Sequence, residues 1–199
     1  MFFANAWRWY GRSSQPAGWH VGWSRLLRQF DRGVLTAVTI PGELAHMVAD
    51  LRGLFTSEPI ETILFNGAGA RAAHLQAVSR LAVSPRPVRL AFRPTHGSGD
   101  SVGYLVSALG SPLSLAAVKV EAAACAAGSA LALVVARSPF LTNVTELALD
   151  SNRMDLVAAM MLANSPGLHK VERVTATRNE FGPQGEDLLL ARFGNRLLI

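Results

Sequence analysis

The sequence predicts an α/β fold: a right-handed solenoid of about six strand-helix turns with a parallel sheet on its concave face. Three recurrences carry this reading. A serine with proline one or two places after it returns at Ser57-Glu58-Pro59, Ser84-Pro85, Ser111-Pro112, Ser138-Pro139 and Ser165-Pro166, each serine 27 residues from the last. A short apolar alternation follows each of them and also stands once before the first. Helix-like stretches fill the intervals.

Each recurrence has a physical reading. Proline lacks an amide donor and pushes the residue before it out of helical geometry, so each Ser-Pro marks the end of a helix. The alternations are LTAVTI at 35–40, IETILF at 60–65, PVRLAF at 87–92, LAAVKV at 115–120, VTELAL at 144–149 and VERVTA at 171–176. All fit L-x-x-L-x-L, with Pro87 and Ala176 as the weak matches. Their fourth positions, Val38, Ile63, Leu90, Val118, Leu147 and Val174, are 25, 27, 28, 29 and 27 residues apart. In the last two the pattern runs on to Asn152 and Met154, and to Asn179 and Phe181, which completes a leucine-rich repeat signature. The strand buries alternate side chains, and the asparagine amide can satisfy backbone groups that the following bend leaves unpaired. In the two turns before these, Thr95 and Ala123 hold that place.

Helices are expected at 43–55, 70–81, 100–109, 126–136, 155–163 and 185–193. In the second, Ala72, Leu75, Val78 and Leu81 share one face at three-residue steps. Strand, helix and strand at this spacing make a parallel sheet with right-handed crossovers. The repeats are long, as in the ribonuclease-inhibitor subtype. Residues 34–199 form the expected repeat domain. Residues 1–33, rich in Trp and Arg, are a cap or remnant, in which Trp7, Trp9, Trp19 and Trp23 would cover the first turn's open edge.

Composition narrows the functional class. Half of the 199 residues are hydrophobic, enough for a substantial core. The single cysteine, Cys125, excludes an internal disulfide framework and suits a reducing compartment. The longest uncharged apolar run, 122–136, is shorter than the roughly 20 residues of a spanning helix. The first 14 residues lack the apolar stretch of a signal peptide. A cytoplasmic protein without a transmembrane segment is the expectation. The net charge of +5 is concentrated at one end: residues 1–37 hold five arginines against Asp31, a balance of +4, while the other 14 basic and 13 acidic residues nearly cancel. Phosphate tracking wants a basic stripe rather than a basic tail, so nucleic acid is not the expected partner.

The stretch RGVLTAVTIPGELAHMVADLRGLFTSEPIETILF, the Ser-Pro repeats, LTNVTELALDSNRM and GPQGEDLLLARFG together resemble bacterial leucine-rich repeat proteins that carry a repeat-companion domain. The likeness covers roughly residues 30–199. In that family a helical companion domain commonly precedes the repeats; in its place residues 1–29 are expected to be a remnant or cap. The resemblance implies a protein-interaction role and transfers no catalytic residue and no cofactor.

A rival reading attaches to Gly67-Ala68-Gly69-Ala70-Arg71-Ala72, which fits the Gly-x-Gly-x-x-Ala fingerprint of a dinucleotide-binding turn. It would make the chain an NADP-binding Rossmann-type oxidoreductase fragment, with Arg89 and Arg93 placed for the extra phosphate. No Asp or Glu lies between Glu61 and Asp100 to hold a ribose hydroxyl, and none of the sister turns has both glycines at the matching places. His96, Ser98 and Asp100 lie too close together in one loop for a triad. His20, His46, His74 and His169 show no metal-ligand spacing. No catalytic, cofactor or metal site is expected.

Function is therefore expected on the non-core strand positions. The template puts Thr62, Arg89, Ala117, Glu146 and Arg173 in one row. Leu64, Ala91, Lys119, Ala148 and Thr175 form the next, and Asn66, Arg93, Glu121, Asp150 and Thr177 a third. Strands about 4.8 Å apart make this a strip about 25 Å long. The expected charge pattern is a basic middle from Arg89, Arg93 and Lys119, adjoined by Glu121, Glu146 and Asp150. The partner would be an unknown protein on that face. An orphan repeat protein with no specific partner is the remaining alternative.

Overall fold

The computed structural model describes residues 28–31, 34–41, 60–66, 75–76, 79, 88–93 and 101–199. The expected helix at 43–55, the 67–72 turn, the four tryptophans, and His20, His46, His74 and His96 lie outside these residues.

Among the described residues, eight strands form one sheet in strict chain order: β1 Arg28–Asp31, β2 Val34–Pro41, β3 Thr62–Asn66, β4 Val88–Arg93, β5 Ala117–Glu121, β6 Glu146–Ala148, β7 Arg173–Thr175 and β8 Leu197–Leu198. From β2 onward all neighbours are parallel; β1 alone runs antiparallel, against β2. Each of the six apolar alternations is thus a strand, β2 to β7. Between the strands lie four described helices, α1 Ser101–Leu109, α2 Gly128–Arg137, α3 Leu156–Ala163 and α4 Gly182–Phe193, each packed on the next. Leu75 and Gln76 are helical as well. Parallel strands need crossovers of a dozen residues or more, which the helices supply. The result is an α/β chain.

The core lies between sheet and helices. Ile63 and Phe65, Leu90 and Phe92, Leu147 and Leu149, and Val174 and Ala176 point into it while their neighbours point away, as the two-residue strand period requires. Phe65 stacks on Phe92 with ring centroids 5.0 Å apart, and Tyr104 of α1 meets the edge of Phe65 at 5.9 Å. The buried Tyr104 hydroxyl donates to the Ile40 carbonyl at 3.0 Å. Burial without a charged partner raises its pKa far above the usual tyrosine range.

The serines explain part of the punctuation. Ser111, Ser138 and Ser165 are buried. Ser138 donates to Leu109 O of α1 at 3.1 Å and Ser165 to Ala136 O of α2 at 3.0 Å, each satisfying a carbonyl at the end of the helix one turn earlier. Arg192, 27 residues after Ser165, continues the series by donating to Ser165 O at 3.1 Å.

One strand departs from the expected phase. In β5 the buried positions are Ala117, Val120 and Ala122 rather than Leu115, Val118 and Val120, and Leu115 and Val118 are only partly covered. Val88 pairs with Ala117 but Arg89 with Lys119, so Val118 is the extra residue of a bulge. In β4 the buried first position is Val88, one residue after the proline that matched the template poorly. The cause is an insertion. Ser57 and Ser84 stand six residues before the fourth strand position (Ile63, Leu90), whereas Ser111, Ser138 and Ser165 stand nine before theirs (Val120, Leu147, Val174). A short 3-10 turn, Pro112–Ala116, with Leu113 buried, absorbs the difference.

Candidate functional site

The outward face of the sheet is assembled by backbone register. Thr62, Arg89, Lys119, Glu146 and Arg173 pair in succession and form one row. Leu64, Ala91, Glu121, Ala148, Thr175 and Leu198 form the next. Lys119 therefore belongs beside Arg89, not beside Ala91, and Glu121 one row nearer than its expected place with Arg93 and Asp150. The insertion before β5 makes this correction. Arg93 pairs with Asn66 through the backbone.

The correction changes the electrostatics. Arg89 and Lys119, like charges on adjacent strands, would repel if left alone. Arg89 instead bonds the Glu121 carboxylate diagonally across the bulge. Lys119 Nζ lies 2.9 Å from Glu146, and Arg173 approaches the same carboxylate at 3.8 Å. The hydrogen bond and charge of Lys119 hold the Glu146 pKa below its ordinary value. The expected basic middle with an adjoining acidic patch is replaced by interleaved, mutually paired charges. Their side chains are 35 to 70 % exposed, and exposed pairs contribute about 0–1 kcal/mol each. Their main effect is to fix where the charges stand.

Asp150 has a different task. It accepts from Thr175 Oγ1 at 2.6 Å, and from Thr177 N and Oγ1 at 2.8 Å each. Partial burial opposes its charge, yet these hydrogen bonds prevail and lower its pKa. The carboxylate ties the end of β6 to the end of β7, and Thr175 is engaged with it. Between Glu61, Thr62, Arg89, Lys119, Thr145 and Glu146 lies a shallow depression of about 390 Å³, open to solvent. Small-molecule sites enclose most of their ligand, and this depression does not. It is a feature of a broad face.

Below the face, the turns are locked to one another. Asn152, fully buried, accepts the Cys125 amide at Oδ1 (3.0 Å), and its Nδ2 donates to Leu149 O and across to Ala122 O. Asn179 repeats this one turn later, accepting the Asn152 and Met154 amides and donating to Ala176 O and Leu149 O. Cys125, not Ala123, holds the corresponding place before Asn152, exactly one 27-residue interval earlier. Its thiol lies 3.4 Å from Ala123 O. Burial pushes the thiol pKa up to about 11, so it stays protonated at neutral pH and is a poor nucleophile.

His169 sits with Nδ1 3.2 Å from the Pro166 carbonyl. Among the described residues, no cluster of three or more His, Cys, Asp or Glu side chains could hold a metal ion, and no helix is long and apolar enough to cross a membrane. Neither a protein-family model nor a curated protein sequence matches the chain.

Proposed function

We propose that this chain is a non-catalytic protein-binding module: a right-handed leucine-rich repeat solenoid of the ribonuclease-inhibitor type, acting in the cytoplasm and akin to the repeat-companion-domain proteins. Its partner docks on the outward, concave face of the sheet. The supporting observation is the register of the face, which presents Arg89, Lys119, Glu121, Glu146 and Arg173 as a fixed, interleaved set of charges across four adjacent strands. Such a pattern selects partners by charge complementarity and contributes more to specificity than to affinity. A repeat array with few large anchors on its face suits a weak or transient contact.

The dinucleotide alternative gains nothing from this sheet. A Rossmann crevice forms where strand order reverses, and here the order runs from β1 to β8 without reversal. Arg89, one of the two candidate phosphate ligands with Arg93, is engaged by Glu121.

The test is crosslinking capture from the source cell's extract with three folded proteins. These are the native chain, a pair-preserving swap (Arg89→Glu, Glu121→Arg, Lys119→Glu, Glu146→Lys, Arg173→Glu), and an outer-face variant (Leu133→Gln, Met160→Gln). A partner kept by the native and outer-face proteins and lost by the swap supports the proposal. A partner lost only by the outer-face variant moves the interface to the helices, and capture of nothing by any of them favours an orphan protein.

A further inference from the structure

We draw no further inference here: the strongest candidate, the outer face of α1, α2 and α3, where Leu133, Val157 and Met160 are exposed and Arg137 is the sole charged side chain of the three helices, is an unpartnered apolar surface and nothing in the structure shows what covers it.

Discussion

The bend after β5 and the bend after β6 have nearly the same backbone and different chemistry. Ala124 before Cys125 and Ser151 before Asn152 both adopt left-handed geometry, φ 55° and 58°, and the residues just after, Ala126 and Arg153, do so too, at 50° and 58°. In both bends a main-chain amide donates to the next turn's carbonyl, Ala124 to Asp150 O at 2.8 Å and Ser151 to Thr177 O at 2.9 Å. The difference lies in the side chain at the centre. Asn152 fastens its own bend, receives the turn before it and donates back to it, whereas the Cys125 thiol makes one long contact with Ala123 O and its amide donates to Asn152. The shape of a bend is therefore set by backbone bonding to the following turn, and the central asparagine adds strength to a shape already present.

The largest expected effect comes from removing that asparagine where it is fully buried. Asn152→Ala leaves the Cys125 amide and the Ala122 carbonyl without their side-chain partner, while Leu149 O keeps Asn179, and each unsatisfied buried group costs about 1–3 kcal/mol. Denaturant unfolding should show a loss of about 3 kcal/mol, and Asn179→Ala, in a less buried bend, a smaller one. Equal losses would break the contrast between the two sites.

Next in size is the carboxylate of Asp150, which ties the end of β6 to the end of β7 at the sheet face. The pKa of Asp150 is lowered in the folded protein, so the native state favours its ionised form. Its contribution is complete above the ordinary aspartate value of 3.8 and is lost as pH falls through the lower folded value. Asp150→Asn should cost about 1 kcal/mol at neutral pH, the charge-assisted bonds being partly exposed. It should also flatten the acid limb of a stability-against-pH curve below about pH 4. An unchanged acid limb would remove Asp150 from that role.

A gain of about 1 kcal/mol is expected from Cys125→Asn. The new amide can donate to Ala122 O and Ala123 O, and Ala122 O can accept a second donor just as Leu149 O already accepts from both Asn152 and Asn179. Thermal unfolding of the variant should shift upward. A downward shift would show that the bend around Cys125 is shaped for a smaller side chain.

The smallest effects are expected at the left-handed positions. Left-handed geometry costs a residue with a Cβ roughly 1–2 kcal/mol, and glycine gives back about half of that in chain entropy. Ala124→Gly, Ser151→Gly and Arg178→Gly should each stabilise by about 0.5 kcal/mol. Similar values at all three would confirm that the bends share one backbone independent of their central residue.

Most of the strand and helix plan was legible because it rests on proline, which acts locally, and on side-chain alternation, which the buried side of the sheet enforces. β5 was not read correctly, since Leu115 and Val118 imitate the apolar template two residues too early. The correcting signal was present in the serines: counting nine residues from Ser111, as from Ser138 and Ser165, leads to Val120, and counting back 27 from Asn152 leads to Cys125. The rows containing Thr62, Arg89, Glu146 and Arg173 followed directly from the template. The pairing of Arg89 with Glu121 did not, because a two-residue slip moves a side chain to another row without changing its face. The role of Asp150 was hidden for another reason: its partners, Thr175 and Thr177, come from the next turn, and their spacing carries no periodic signal.

Most depends on the turns after β5 and β6 each being held by the asparagine of the next, a lock that strengthens the part of the solenoid displaying Lys119, Glu121, Glu146 and Arg173. Amide hydrogen exchange at Cys125, measured residue by residue in the native protein and in Asn152→Ala, tests it most directly. The account predicts slow exchange at Cys125 in the native chain and a large acceleration in the variant, with the Ala124 amide, bonded to Asp150 O, changing less. Rapid exchange at Cys125 already in the native chain, or no response to the substitution, would contradict it.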